Sequence, residues 1–268
     1  MNIFQQFIKS IYSPPTVAKF RFQGIGKTIL YVFVLMLITT SITAYQLATT
    51  ISTTVQQFQA DLRDELPDFE LRNSILISDI EEPIYLTQNG DMVIFDTTGT
   101  LTKAEIENRY NNVLALLETE AVLVSEGVAE SFRYRDLGNI NMSKQQVEEL
   151  TETVVDLLPL IISMIVLILY LVLTALKFIG IFVLTLFGLI MKKTSEATLS
   201  YKQIWILSAY AVTLPTVFFA VTDALRIQIP ISFTLYWVVA VIMLYLIFKE
   251  IPKPKQEELE KQDSLDKY

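Results

Sequence analysis

Four stretches of this chain run for 20 residues or more with almost no charge: Thr28–Ala48, Leu157–Met191, Gln203–Thr222 and Ile229–Phe248. A helix rising about 1.5 Å per residue needs roughly 20 apolar residues to cross a hydrocarbon layer about 30 Å thick. Soluble helices of that length keep a polar face, and these stretches largely lack one. The expected fold class is therefore a membrane protein. Its composition agrees, with 52% apolar and 19% charged residues.

Basic residues at the edges of such spans are retained on the cytoplasmic side. Residues 1–27 carry Lys9, Lys19, Arg21 and Lys27 and no acid, which places that end inside. Residues 51–156 hold 21 Asp and Glu against 7 Lys and Arg, a net of −14, and suit the exterior. Lys192, Lys193 and Lys202 form a second basic loop, and Lys249, Lys253 and Lys255 follow the last stretch. The reading is four crossings with both termini inside: a four-helix transmembrane bundle with a small α+β extracytoplasmic domain inserted between helices 1 and 2. Its segments are a basic segment 1–27, spans 28–48, 157–191, 203–222 and 229–248, an outer domain 49–156, a loop 192–202, an outer turn 223–228 and a tail 249–268.

The first span is longer than the apolar part of a signal peptide and reads as an uncleaved anchor. Ahead of it, Ile3, Phe4, Phe7, Ile8 and Ile11 share one helical face. That helix either lies in the inner headgroup layer or packs on the protein. Leu157–Met191 as one helix would reach about 52 Å, longer than the bilayer requires. It is either a single long helix or two short crossings, and the second option puts Lys192, Lys193 and Lys202 on the wrong side for the charge rule.

Within the acidic block, Phe69–Ile77, Pro83–Thr87, Met92–Phe95, Ala121–Val124 and Glu130–Tyr134 read as strands from their β-branched and aromatic content. Asn89–Gly90 is a hairpin turn signal. Thr102–Glu118 reads as a helix with Ile106, Tyr110, Val113, Leu114 and Leu117 on one face, opened by a Thr102/Glu105 capping box. Ser143–Asp156 reads as a helix running into the second span, and Thr49–Ala60 as an extension of the first helix.

The chain has no Cys and no His. Ser-His-Asp and Cys-His catalysis, zinc sites built on those ligands and disulfides are excluded with them. Carboxylates, hydroxyls, Lys and Arg remain. Asp96-Thr97-Thr98-Gly99 resembles the phosphorylated-aspartate motif of P-type ATPases and haloacid-dehalogenase phosphatases, but Thr97 stands where those enzymes have Lys or Asp. The outside location also denies it ATP, so the preferred reading is a turn whose Asp and Thr side chains satisfy backbone N–H groups. No Asp-x-Asp-x-Asp-Gly calcium loop, P-loop or nucleic-acid signature is present, and Gly24-x-Gly26-Lys27-Thr28 is too short for a phosphate loop. No cofactor, metal or nucleic acid is expected.

Lys177 is the ionisable residue inside a span. Such a charge either snorkels from the inner boundary or marks a functional position. Pro215 predicts a kink in the third span. With Tyr210, Asp223 and Arg226, these residues form the candidate polar site of the membrane part. Asp223 and Arg226 alternatively pair with each other. The segment after Pro252 alternates acids and lysines and reads as a disordered tail.

Ser13-Pro14-Pro15, Phe20-Arg21-Phe22-Gln23-Gly24-Ile25-Gly26-Lys27-Thr28, Leu66-Pro67-Asp68-Phe69-Glu70-Leu71, the Asp96-Thr97-Thr98-Gly99 turn, and Leu199-Ser200-Tyr201-Lys202-Gln203 through Tyr210 to Leu214-Pro215 together resemble the domain-of-unknown-function 1189 family, multi-pass membrane proteins of Gram-positive bacteria. The last string is also similar to the Yip1-type membrane domain. The resemblance implies a shared architecture and no transferable activity. Some relatives carry a maltodextrin-utilisation label, which implies a sugar-uptake setting.

The leading expectation is a non-enzymatic integral membrane protein of the cell membrane, anchored in the lipid bilayer, whose outer domain meets a membrane-protein partner or envelope ligand. The alternative is a small transporter or transporter subunit using Lys177, Tyr210, Pro215 and Asp223 along a polar path. Neither reading fixes an oligomeric state.

Overall fold

The computed structural model describes residues 1–88, 91–138, 140–195 and 199–252. It is mostly helical, and four of its helical segments are long and apolar enough to cross a membrane: Ile25–Asp64, Lys144–Lys192, Tyr201–Ala224 and Ser232–Lys249. The chain divides into two compact units, Met1–Thr49 with Ile162–Tyr268, and Thr50–Ile161. Asn89–Gly90 and the tail beyond residue 252 lie outside the described residues.

The first unit draws on helices α1 (Ile3–Tyr12), α2 (Pro14–Lys19), α3 (Ile25–Asp64), α5 (Lys144–Ser195), α6 (Tyr201–Ala211), α7 (Thr213–Ala224) and α8 (Ser232–Lys249). The stretch that left one helix or two open is a single helix, α5. The third apolar stretch is interrupted at Val212, between α6 and α7. Pro215 has no N–H to donate to the carbonyl four residues back, at Ala211, so the helical ladder fails where α6 ends. Tyr31, Leu35, Ile181, Leu184, Ile204, Leu207, Tyr210 and Leu244 make the buried centre. Gly188 permits α5 to approach α6 and α8, since a Cβ there would stand 2.6 Å from the Ile204 side chain.

Helix α1 packs on this unit by its polar residues. Gln6 and Ser10 are buried together with the flanks of Ile3 and Phe7, while Phe4 and Ile8 face outward. Its start is fixed by an Asn2/Gln5 capping box. The helix thus packs on the protein by one face and leaves an outward apolar stripe at Phe4 and Ile8.

The second unit holds two sheets. β1 (Phe69–Arg72), β2 (Ile75–Ser78) and β8 (Met142–Ser143) form a three-stranded sheet in the order β2-β1-β8. β3 (Ile84–Gln88), β4 (Asp91–Asp96), β5 (Val113–Leu117), β6 (Glu120–Ser125) and β7 (Val128–Arg133) form a five-stranded sheet in sequence order. Neighbours are antiparallel except β4 and β5, which run parallel with Val93 opposite Leu114 and Asp96 opposite Leu117.

Two expectations are corrected here. Phe69–Ile77 is a hairpin in place of one strand, because Asn73 and Ser74 take φ of 53° and 66° and reverse the chain. Thr102–Glu118 is a short helix, α4 (Lys103–Arg109), followed by the strand β5. The Thr102/Glu105 capping box starts α4 as read. Beyond Tyr110, however, Val113, Ala115 and Leu117 are buried on one face of a central strand and Leu116 packs in the core on the other, which a single helical face could not do.

The five-stranded sheet is sandwiched. On one face Ile94, Val113, Ala115, Val122 and Val124 pack with Ile106 of α4. On the other, Phe95, Leu86, Leu116 and Ala121 pack with Phe58 and Leu62 of α3, Leu66 and Tyr134.

Candidate functional site

The turn after β4 is built around Asp96, which is fully buried. Its Oδ1 accepts from the Thr98 N–H at 2.8 Å and the Thr98 hydroxyl at 2.6 Å, and its Oδ2 accepts from the Leu101 N–H at 2.7 Å. Gly99 supplies the left-handed step, at φ 72°, that brings Leu101 back to the carboxylate. Thr100 bonds the Thr98 hydroxyl. Both carboxylate oxygens are committed to the loop, and Thr97 takes no side-chain part in it. The chemistry is that of a cap: the donors are satisfied and the path into α4 is set.

The five membrane-part candidates do not converge on one place. The Lys177 amine on α5 donates to the Thr216 hydroxyl at 3.1 Å and the Tyr236 hydroxyl at 3.0 Å, and stands 4.7 Å from the Tyr236 ring centre. Thr216 and Tyr236 also bond each other at 3.1 Å. These partners sit well inside the third and fourth apolar stretches. Lys177 is thus held between α5, α7 and α8. Among the described residues no carboxylate pairs with it.

Tyr210 belongs to a different cluster. Its hydroxyl donates to Gln6 Oε1 at 2.7 Å, and its ring lies 4.2 Å from that of Tyr31, whose hydroxyl bonds Thr213 at 2.6 Å. These groups tie α1 to α3, α6 and α7. Pro215 acts through the break before α7. Asp223 lies in the last turn of α7 and Arg226 just beyond it, where the Gln46 side chain donates to the carbonyls of Asp223 and Ala224. They form no ion pair; the Arg226 backbone, at φ 56°, donates to the Asp223 carbonyl instead. An open cavity of about 510 Å³ lies beside them.

A further residue went unread in the sequence. Asp61, near the end of α3, is 3% exposed, and its Oδ1 has no hydrogen-bond partner. Burial, then the Glu65 carboxylate one turn on, pushes its carboxyl above the ordinary value. It lies at one end of a stripe, Thr50, Thr54, Gln57 and Asp61, that walls a cavity of about 340 Å³ against the sheet. The cavity floor is a row across four strands. Leu86 pairs with Val93, Val93 with Leu114, and Leu114 with Leu123. The neighbouring row, Ile84, Phe95, Leu116 and Ala121, packs in the core with Phe58 and Leu62 of α3, while Leu123 in the groove row is half exposed. The spacing i, i+4, i+7, i+11 was the available signal, but it marks only a polar helix face. Among the described residues no group of three or more acids is arranged to hold a metal ion.

The sequence model of one protein family, described as a protein of unknown function (DUF1189), matches residues 4–248. Neither the curated proteins nor the solved structures contain a match to the chain.

Proposed function

The chain belongs to the DUF1189 family, and on that premise we propose that it is a non-enzymatic protein of the cell membrane whose outer module binds a partner or ligand. Its apolar helices cross the bilayer with both termini in the cytoplasm, and residues 49–156 stand outside. The observation that carries this reading is the groove in the second unit, where an unpartnered buried carboxylate meets an apolar row of the sheet. Buried polar groups in folded proteins are almost always bonded, so an exception at the wall of a cavity is where a ligand is looked for. The aspartate with the more catalytic sequence context, Asp96, has both oxygens used by its own turn.

Photo-crosslinking from Leu123 in intact cells tests it. A discrete adduct that disappears when the groove is filled by Leu114→Trp supports the reading. Adducts indifferent to that change contradict it.

A transporter is the second reading, favoured by Lys177, a cation set among hydroxyls with no counter-charge paired to it among the described residues. Placing such a charge inside a span costs about 2.5–3.5 kcal/mol on insertion scales, a cost retained for function when it is retained at all. Purified protein in vesicles would then move a solute, and Lys177→Leu would abolish flux while leaving assembly intact. Unchanged flux in that variant, or no flux from the unaltered protein, rejects it.

A further inference from the structure

We propose that the groove between α3 and the five-stranded sheet takes a small amphiphilic cation, its protonated amine on the Asp61 carboxylate and its apolar body on Val93, Leu114 and Leu123. The inference rests on the reading of the second unit as a binding module and assigns the chemistry of its ligand.

Three observations select this chemistry. The carboxylate is buried, lacks a donor to Oδ1, and among the described residues joins no ion pair. A group in that state gains most from a ligand that brings both a proton donor and a positive charge. Directly across the groove, the cross-strand row offers at Val93, Leu114 and Leu123 an apolar floor outside the cluster that packs Leu86 and the adjoining row against α3. A wholly polar cation would leave that floor wet, and a neutral hydrocarbon would leave the carboxylate unpaired. The third is charge at longer range: the net −14 of residues 51–156 attracts cations and disfavours anions. A volume of about 340 Å³ fits a compact molecule better than a folded partner.

The experiment uses the full chain in phosphatidylcholine nanodiscs, titrated with phenethylammonium and with the neutral isostere 2-phenylethanol. Saturable phenethylammonium binding is expected, with the alcohol weaker by about tenfold or more, as for loss of a charge-assisted contact. Asp61→Asn is expected to weaken amine binding by a similar factor, and Leu123→Trp to reduce it by filling the groove. Asp64→Asn, at an exposed acid one turn beyond Asp61 and outside the cavity lining, should leave it unchanged. Asp61→Asn removes a buried charge, so a melting temperature no lower than that of the unaltered chain shows that lost binding is not lost folding. No saturable binding at millimolar amine, or equal binding by the Asp61→Asn variant, overturns the proposal. If the amine fails while the groove-dependent crosslink persists, the ligand chemistry is wrong and the module reading stands. If the crosslink is indifferent to groove filling, the module reading falls whatever the amine does.

Discussion

The turn after β4 and the wall of the groove each bury an aspartate, and the two are treated oppositely. Asp96 is surrounded by donors from its own loop, three within 2.8 Å. Asp61 has none on Oδ1. Burial alone therefore says little about role. A carboxylate that its neighbours satisfy holds a local path of the chain, whereas one they leave unsatisfied lowers stability and is explained by something that binds there. The string that looks catalytic is the structural one, and the residue without any motif is the candidate for binding.

Substitutions at the two positions break or sharpen this contrast. Asp96→Ala strands the Thr98 and Leu101 N–H groups of a part-buried turn and is expected to cost about 2–3 kcal/mol, read by denaturant unfolding of the second unit's signal. Asp96→Asn keeps one acceptor oxygen and should cost about 1–2 kcal/mol. A loss much below this in the alanine variant would mean that the turn does not depend on the carboxylate. In the helical unit, Tyr210→Phe removes the donor to Gln6 and leaves a buried acceptor unpaired. The expected loss is again about 1–2 kcal/mol, visible as easier proteolysis of the α1 segment.

The smallest effect has the opposite sign. With its carboxyl raised in the folded chain, Asp61 is protonated in both states below its ordinary value of 3.8. As pH rises through that value and then the raised one, the unfolded state ionises first and folding loses stability. Asp61→Asn should therefore stabilise slightly at neutral pH, with the gain fading as pH falls through the raised value and gone once it is below 3.8. A destabilising Asp61→Asn at neutral pH would show that the carboxylate has a partner after all and would erase the contrast.

Much of this was legible in the sequence for physical reasons that are local. Apolar runs long enough to span a bilayer identify themselves by length, and Pro215 announces an interruption because its missing N–H acts four residues back. The Thr102/Glu105 box marks the start of α4 through two bonds made within one turn. The Asp96 turn is equally local, closed within six residues. The failures are non-local. Val113–Leu117 carries apolar residues at both helical and strand spacing, and only its parallel pairing with β4 decides for the strand. Lys177 could not reveal Thr216 and Tyr236, which come from helices 39 and 59 residues away. Asp61 looks like a solvated acid on a polar stripe until strands β3 to β6 are laid beside it.

Sidedness underlies every functional step, and the absence of native cysteine makes it directly measurable. Single cysteines at Val128, exposed in the second unit, and at Lys202, at the start of α6, are treated with a membrane-impermeant maleimide on intact cells. Labelling of Val128→Cys at once, and of Lys202→Cys only after permeabilisation, is the predicted result. Protection of Val128→Cys together with ready labelling of Lys202→Cys would put the acidic module in the cytoplasm and contradict the account.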